Sequence, residues 1–166
     1  MKNWTYISYK DGLDDKAYNL EGLINKLPRP IVFTNGVFDI LHLGHIKYLI
    51  NSKNLGSSLI VGINSNSSTK RLGKGTDRPI NDEIDRALIV SSLKPVDFCI
   101  IFDDSTPEKL IKIIKPNIYT KGEDYDKSSI PYLSTLEKLD IKIYFLPFIK
   151  GKSTTMIIDK INGRDS

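Results

Sequence analysis

The stretch from Thr34 to His45, Thr-Asn-Gly-Val-Phe-Asp-Ile-Leu-His-Leu-Gly-His, constrains this chain more than any other, because core packing alone would not produce it. Just upstream, Pro30-Ile31-Val32-Phe33 is a short apolar run of β-branched and aromatic residues and reads as a buried strand. Downstream, Ile46, Leu49 and Ile50 recur at helical spacing until Gly56 closes the pattern. The stretch is therefore a strand-to-helix turn. α/β proteins hold phosphates at such turns, because the first N–H groups of a helix lack intrahelical partners and lie at the positive end of its dipole. His42 and His45 are the only histidines of the chain. Three positions apart in the first helical turn, they project from one face. Gly44 between them lets a ligand approach the backbone.

Taken by itself, the histidine pair has three readings: a satisfied structural pair, half of a metal site, or donors to a phosphate. A metal site needs further ligands, and the sequence offers only Asp39 nearby and a single cysteine, Cys99, inside an apolar run. The coincidence of a glycine turn, a helix start and two imidazoles favours phosphate.

Beyond this turn the chain alternates strand and helix. Apolar runs at 59–63, 98–102, 117–120 and 141–146 read as further strands. Helical patterns cover 82–93 and 105–114, a weaker one covers 129–139, and another follows the hydroxyl residues Ser153, Thr154 and Thr155. Ser105-Thr106-Pro107-Glu108 has capping-box spacing and reads as a structural helix start. The alternation implies an α/β fold: one Rossmann-like, doubly wound domain over 29–163 with a five-stranded parallel sheet. Residues 1–28 form a leader, expected to be helical from the spacing of Leu20, Leu23, Ile24 and Leu27.

Ligands in such sheets bind beyond the carboxyl ends of the strands, where the histidine turn, a basic segment, 121–125 and 153–155 all fall. The basic segment carries Lys70, Arg71, Lys74 and Arg78. It reads either as a mobile surface loop or as an arm that closes over a triphosphate.

No apolar run reaches transmembrane length, and the N-terminus lacks the apolar core of a signal peptide, so a cytoplasmic protein is expected. The net charge of +4 is weak evidence for nucleic acid, since the basic residues are scattered and no RNA-binding signature occurs.

Thr34-x-Gly36-x-Phe38-Asp39-x-x-His42-x-Gly44-His45 resembles the signature of the cytidylyltransferase-like nucleotidyltransferases. The resemblance covers nearly everything after Leu27. It is nearest to the bacterial D-glycero-β-D-manno-heptose 1-phosphate adenylyltransferases, through Lys121-Gly122-Glu123-Asp124-Tyr125 and Ser153-Thr154-Thr155. What it implies is transfer of AMP from ATP to a sugar 1-phosphate, giving ADP-heptose and pyrophosphate for lipopolysaccharide or surface-glycan synthesis, with magnesium accompanying ATP. A homodimer is expected as well, and neither a membrane nor a nucleic acid is an expected partner.

By the same resemblance, His42 and His45 are catalytic residues, joined by Lys70 or Lys74 at the triphosphate tail. Thr34, Asn35, Gly36, Phe38, Gly44, Arg86, Gly122, Ser153, Thr154 and Thr155 fall to the nucleotide. Asp39, Lys121, Asp124 and Tyr125 fall to the sugar phosphate. Two departures stand out: Ile84 where relatives usually carry Glu, two residues before Arg86, and Val37 where many heptose enzymes carry cysteine.

Nucleotidyl transfer suits these residues. The attacking phosphate oxygen is already ionised near neutral pH, so the protein must align two anions and stabilise charge, with no general base. A cytidylyltransferase on glycerol 3-phosphate or a similar alcohol phosphate is the alternative. Its relatives carry an Arg-Thr pair where this chain has Phe148-Ile149. A non-catalytic nucleotide- or nucleic-acid-binding module is the second alternative.

Overall fold

The strands after Pro30 are almost continuously apolar, so helices must cover both faces of the sheet. In the computed structural model, which describes residues 6–8, 20–73, 78–147, 149 and 151–163, they do. Strands β1 (Tyr6–Ser8), β2 (Ile31–Gly36), β3 (Ser58–Asn64), β4 (Phe98–Phe102), β5 (Ile118–Gly122) and β6 (Lys142–Leu146) form one sheet. Its order is β1-β4-β3-β2-β5-β6, and every pairing is parallel.

The period-two alternation of a strand sorts the apolar side chains into two cores. Ile31, Phe33, Ile60, Phe98, Ile100 and Phe102 face one side, where α5 (Glu108–Ile114), α6 (Leu133–Lys138) and α1, described over residues 20–24, supply Leu110, Ile114, Leu136, Leu20 and Ile24. Val32, Leu59, Val61, Ile63, Cys99 and Ile101 face the other, against Tyr48 and Leu49 of α2 (Leu43–Lys53) and Ala87 and Val90 of α4 (Glu83–Ser91).

All five expected strands form, and the structure adds three features. The leader contributes more than a helix: β1 pairs with β4 and becomes a sixth, edge strand. Part of the basic segment is helical, as α3 (Asn66–Arg71), because Ser65 caps it by accepting the Ser68 N–H. The 129–139 pattern resolves into a short 3₁₀ turn (Lys127–Ser129), capped reciprocally by Asp126 and Ser129, followed by α6. The final helix, α7 (Thr154–Ile161), follows β6 as expected.

The sheet changes direction at β2. From there β3 and β4 extend to one side, and the chain then crosses back to lay β5 and β6 on the other. Such a switch point leaves a crevice, because the two connections leave the strand ends in opposite directions. Its opening is visible in the register. The β2–β5 ladder runs through Val32↔Ile118 and Phe33↔Tyr119, whereas β2–β3 pairing continues to Gly36↔Ile63 and β5–β6 pairing to Gly122↔Leu146.

The turn into β3 is tight. A Cβ on Gly56 would stand 2.6 Å from the Pro30 carbonyl oxygen, a backbone atom that cannot swing aside. Gly56→Ala is therefore expected to destabilise the protein by about 1–3 kcal/mol. Gly22→Ala in α1, with nothing within 4 Å of the new methyl, should instead stabilise it by roughly 0.5–1 kcal/mol. Chemical denaturation of both variants measures the contrast, and equal stabilities would show that the turn yields freely.

Candidate active site

A cavity of about 850 Å³ opens where β2 and β5 part. Its floor is a buried hydroxyl cluster. Thr34 Oγ1 lies 2.7 Å from the Tyr48 hydroxyl and donates to the Thr120 carbonyl at 3.1 Å, while Tyr48 donates to Thr120 Oγ1, which also contacts Ser52 Oγ at 3.0 Å. Burial pushes the Tyr48 phenol up to about 12, so it keeps its proton. Thr34, assigned to the nucleotide from sequence, is thus fully buried and joins β2 to α2 and β5; only Tyr48 of the cluster reaches the cavity.

The histidine turn forms one wall. Phe38 takes a left-handed backbone (φ 49°), unusual for a bulky residue, and its ring covers Gly36, where a Cβ would come within 3.0 Å of it. The same ring meets His45 at 5.3 Å between centroids. His42 is the N-cap of α2 and makes no side-chain cap bond, and the first intrahelical bond runs from the Ile46 N–H to the His42 carbonyl. The N–H groups of Leu43, Gly44 and His45 therefore precede the helix's own bonding, as an anion site requires. The imidazoles of His42 and His45 stack at 3.8 Å and 24°. Gly44 is required beneath them: a Cβ there would stand 2.9 Å from the His42 ring. Burial first, and the charge of Lys152 second, hold the His42 pKa below the ordinary 6.5.

Opposite stands the start of α7. Ser153 caps it by accepting the Met156 N–H at 3.1 Å, and Thr154 Oγ1 donates to the Ile40 carbonyl at 3.2 Å, tying this helix to the histidine turn. Both hydroxyls have structural duties, yet Ser153, Thr154 and Thr155 all border the cavity. The end of β5 adds Lys121, Gly122, Asp124 and Tyr125, with the Lys121 ammonium 5.0 Å from the Tyr125 ring centroid and 3.4 Å from the Asn35 carbonyl. The Asn35 side chain accepts from the Tyr119 hydroxyl at 2.6 Å, which in turn meets the Tyr132 hydroxyl.

Several residues assigned to ligands from the sequence have structural partners here. Asp39, assigned to the sugar phosphate, borders the cavity, and its carboxylate accepts from Arg78 Nε (2.8 Å) and from the Ile80 and Asn81 N–H groups (2.9 Å each). It anchors the basic segment to the histidine turn. Arg86, assigned to the nucleotide, is fully buried and donates to the carbonyls of Val37 and Asn81 and to Asn66 Oδ1. Burial lowers its pKa, and Asp39, Glu83 and Asp82 oppose that shift. A buried guanidinium needs such partners, and this one braces the turn from behind. Glu83, next to the divergent Ile84, accepts the Asn66 N–H and supplies part of that acidic surround. Lys70 is exposed on α3 and is not among the cavity's lining residues. Lys74 and Phe148 lie outside the described residues.

Other lining residues escaped the sequence reading. Ser105, Thr106 and Pro107 border the cavity because α5 begins only at Glu108, with Pro107 as N-cap and no side-chain cap bond, so the expected capping box does not form. Their signal was their place after a strand end. Asn64 and Lys152 carried the same signal, and Arg78 belongs to the basic segment singled out above, whereas Tyr48 and Tyr132 reach the cavity only through tertiary packing.

Asp39→Ala is expected to cost about 3–5 kcal/mol, because it strands Arg78 and two backbone donors. A denaturation midpoint close to the parent's would refute the anchoring role. For His42, the unfolded chain takes up a proton more readily than the folded one. Its contribution to stability is therefore complete above the unfolded value of 6.5 and declines as pH falls through and below it. NMR should find the His42 midpoint under 6.5, and His42→Gln should flatten the loss of stability on acidification.

The comparisons with known proteins agree with this geometry. The Cytidylyltransferase-like family model matches residues 33–160. The bifunctional protein HldE of a Nitratiruptor species is 50% identical over 138 residues, 83% of this chain and 29% of that protein. The D-beta-D-heptose 1-phosphate adenylyltransferase of Bordetella bronchiseptica is 43% identical over 136 residues, covering 82% of this chain and 84% of that one. The crystal structure of the lipopolysaccharide core biosynthesis protein from Thermoplasma volcanium GSS1 superposes with a TM-score of 0.61 at 38% identity, over 74% of this chain and 98% of its own. The chain spans about a third of the length of the bifunctional relatives it matches, 29% of the Nitratiruptor protein and 33% of its Campylobacter fetus counterpart. With its histidine turn at the switch point of a parallel sheet and the match over most of its length, the chain belongs to the cytidylyltransferase-like family.

Proposed function

We propose that this chain transfers AMP from ATP to a heptose 1-phosphate, giving ADP-heptose and pyrophosphate. The observation that carries the reading is the stacked His42–His45 pair on the open N-terminus of α2, inside a cavity also bordered by Lys121, Arg78 and Lys152. Similarity to the Bordetella heptose 1-phosphate adenylyltransferase supports the choice of nucleotide and sugar. Similarity to the Thermoplasma lipopolysaccharide core biosynthesis protein supports a role in lipopolysaccharide synthesis.

In the proposed step an oxygen of the sugar phosphate, already ionised, attacks the α-phosphorus of ATP, and the bond from that phosphorus to the bridging oxygen breaks. The electron pair leaves with pyrophosphate. No proton need move, so catalysis consists of alignment and charge stabilisation. Imidazole and backbone N–H donors in a half-enclosed crevice serve this well, since they are oriented before charge develops. Asp124 and Tyr125, beside Lys121, suit the hydroxyl-rich sugar.

Magnesium belongs to this reading. Among the described residues no group of three or more His, Cys, Asp or Glu side chains gathers to hold a metal, and in this reading magnesium would come with ATP. There it would neutralise part of the phosphate charge. No described helix is long and apolar enough to cross a membrane. A homodimer is part of the same reading, with light scattering as its check.

The test is pyrophosphate release, with each of the four nucleoside triphosphates offered against heptose 1-phosphates and a panel of polyol phosphates. ATP with D-glycero-β-D-manno-heptose 1-phosphate should react fastest. Preference for CTP with glycerol 3-phosphate would overturn the assignment. His42→Ala and His45→Ala should each lower kcat by about a hundredfold to a thousandfold, with smaller effects on binding. Asp124→Ala should raise KM for the sugar phosphate and leave that for ATP little changed, since a hydrogen bond to a charged acceptor contributes about 1.5–3 kcal/mol.

A further inference from the structure

Arg78, Lys121 and Lys152 are the lysine and arginine residues among those lining the cavity, and their surroundings differ. Arg78 is paired with the buried Asp39 carboxylate. Lys121 is held near the Asn35 carbonyl and over the Tyr125 ring. Lys152 is exposed, and no carboxylate lies within ion-pair distance of it among the described residues. Its backbone is nevertheless fixed. Its carbonyl oxygen lies 3.5 Å from the point where a Cβ on Gly44 would sit, so residue 152 rests on the first turn of α2. The next residue, Ser153, is the N-cap of the eight-residue helix α7, and Thr154 is hydrogen-bonded to the Ile40 carbonyl. Lys152 therefore stands where the N-termini of α2 and α7 converge.

We propose that Lys152 is a catalytic cation of this chain, meeting the pyrophosphate as it separates from the transferred nucleotidyl group. The inference rests on the reaction proposed above and adds a residue to it. When the bridging oxygen takes the electron pair from the α-phosphorus, negative charge grows on the departing group. Helix N-termini supply fixed partial charges, whereas a lysine without a carboxylate partner supplies a whole charge on a stem that can follow the leaving group. Lys70, exposed on α3 and absent from the cavity lining, is not placed to do this. The lysine's proximity to the histidine pair is also felt by His42, whose pKa it helps to lower.

The test uses Lys152→Gln and Lys152→Arg in the full chain, with inorganic pyrophosphate and magnesium as the probe. Loss of one charge-assisted phosphate contact should weaken pyrophosphate inhibition about tenfold or more in Lys152→Gln. Its kcat should fall, its KM for the sugar phosphate should stay near the parent value, and Lys152→Arg should retain most of both properties. In ligand-free Lys152→Gln the His42 NMR titration midpoint should rise, because a neighbouring positive charge is removed. Unchanged pyrophosphate inhibition with parental kcat would identify Lys152 as a solvated surface lysine and overturn the proposal. Equal losses in both variants with a lowered melting temperature would also overturn it, assigning a structural role. If the parent releases no pyrophosphate from ATP and heptose 1-phosphate, the functional reading fails instead. Calorimetric titration of parent and Lys152→Gln with magnesium pyrophosphate then still decides whether this lysine binds it.

Discussion

The hydroxyl cluster of Thr34, Tyr48, Ser52 and Thr120 is the interaction on which the rest of the site depends. Where β2 and β5 part, both strands lose ladder partners, and an opened seam inside a sheet would leave polar groups buried without partners. Side-chain hydroxyls fill that role here: Thr34 reaches the Thr120 carbonyl across the seam, and Tyr48 and Ser52 close the cluster from α2. Each hydrogen bond contributes about 1 kcal/mol net, but stranding a buried partner costs about 1–3 kcal/mol. The asymmetry holds α2 at one rotation about its axis. His45 lies three residues before Tyr48 on that helix, so the cluster also sets where the imidazole pair faces the crevice.

Behind the turn, two buried charges act as tethers. Asp39 gathers Arg78 and the Ile80 and Asn81 N–H groups, and Arg86 gathers the carbonyls of Val37 and Asn81. Asn81 is shared between them, so the histidine turn and the 78–81 segment behave as one piece. Charged residues inside a motif invite assignment to the ligand. Arg86 does not reach the cavity, whereas Asp39 borders it with its carboxylate already satisfied by protein donors, as a desolvated charge requires. The sole departure near Arg86, Ile84, is absorbed in the same way: Ile84 is 44% exposed, while neighbouring Glu83 binds the Asn66 backbone and helps to surround the guanidinium with negative charge.

On the crevice side the design is reversed, with donors oriented but left open to a ligand. The N-termini of α2 and α7 meet there, cross-linked through the Thr154–Ile40 hydrogen bond. Phe38 packs on His45 from one side, and His42 stacks on it from another. Partial burial and the charge of Lys152 keep His42 from protonating easily, and Lys121 and Lys152 border the same crevice.

Much of this was legible in the linear sequence. The apolar runs determined five parallel strands, because only helices on both faces can cover strands without a polar side, and the Thr34–His45 stretch determined a strand-to-helix turn with two imidazoles on one face. Gly36 and Gly44 were marked by motif, and the structure supplies their reason in the rings of Phe38 and His42. What the sequence could not decide was which polar residues face the crevice and which face inward. Thr34 and Arg86 are as polar as Asn35, Asp124 and Lys121, and nothing local separates them. Their fates depend on groups distant in sequence: Thr120 for Thr34, Val37 for Arg86. Tyr48 and Tyr132 reach the cavity for the same reason. Periodicity reports which side of its own element a residue occupies, whereas membership of a site depends on how elements far apart in the chain are brought together, and only tertiary packing decides that.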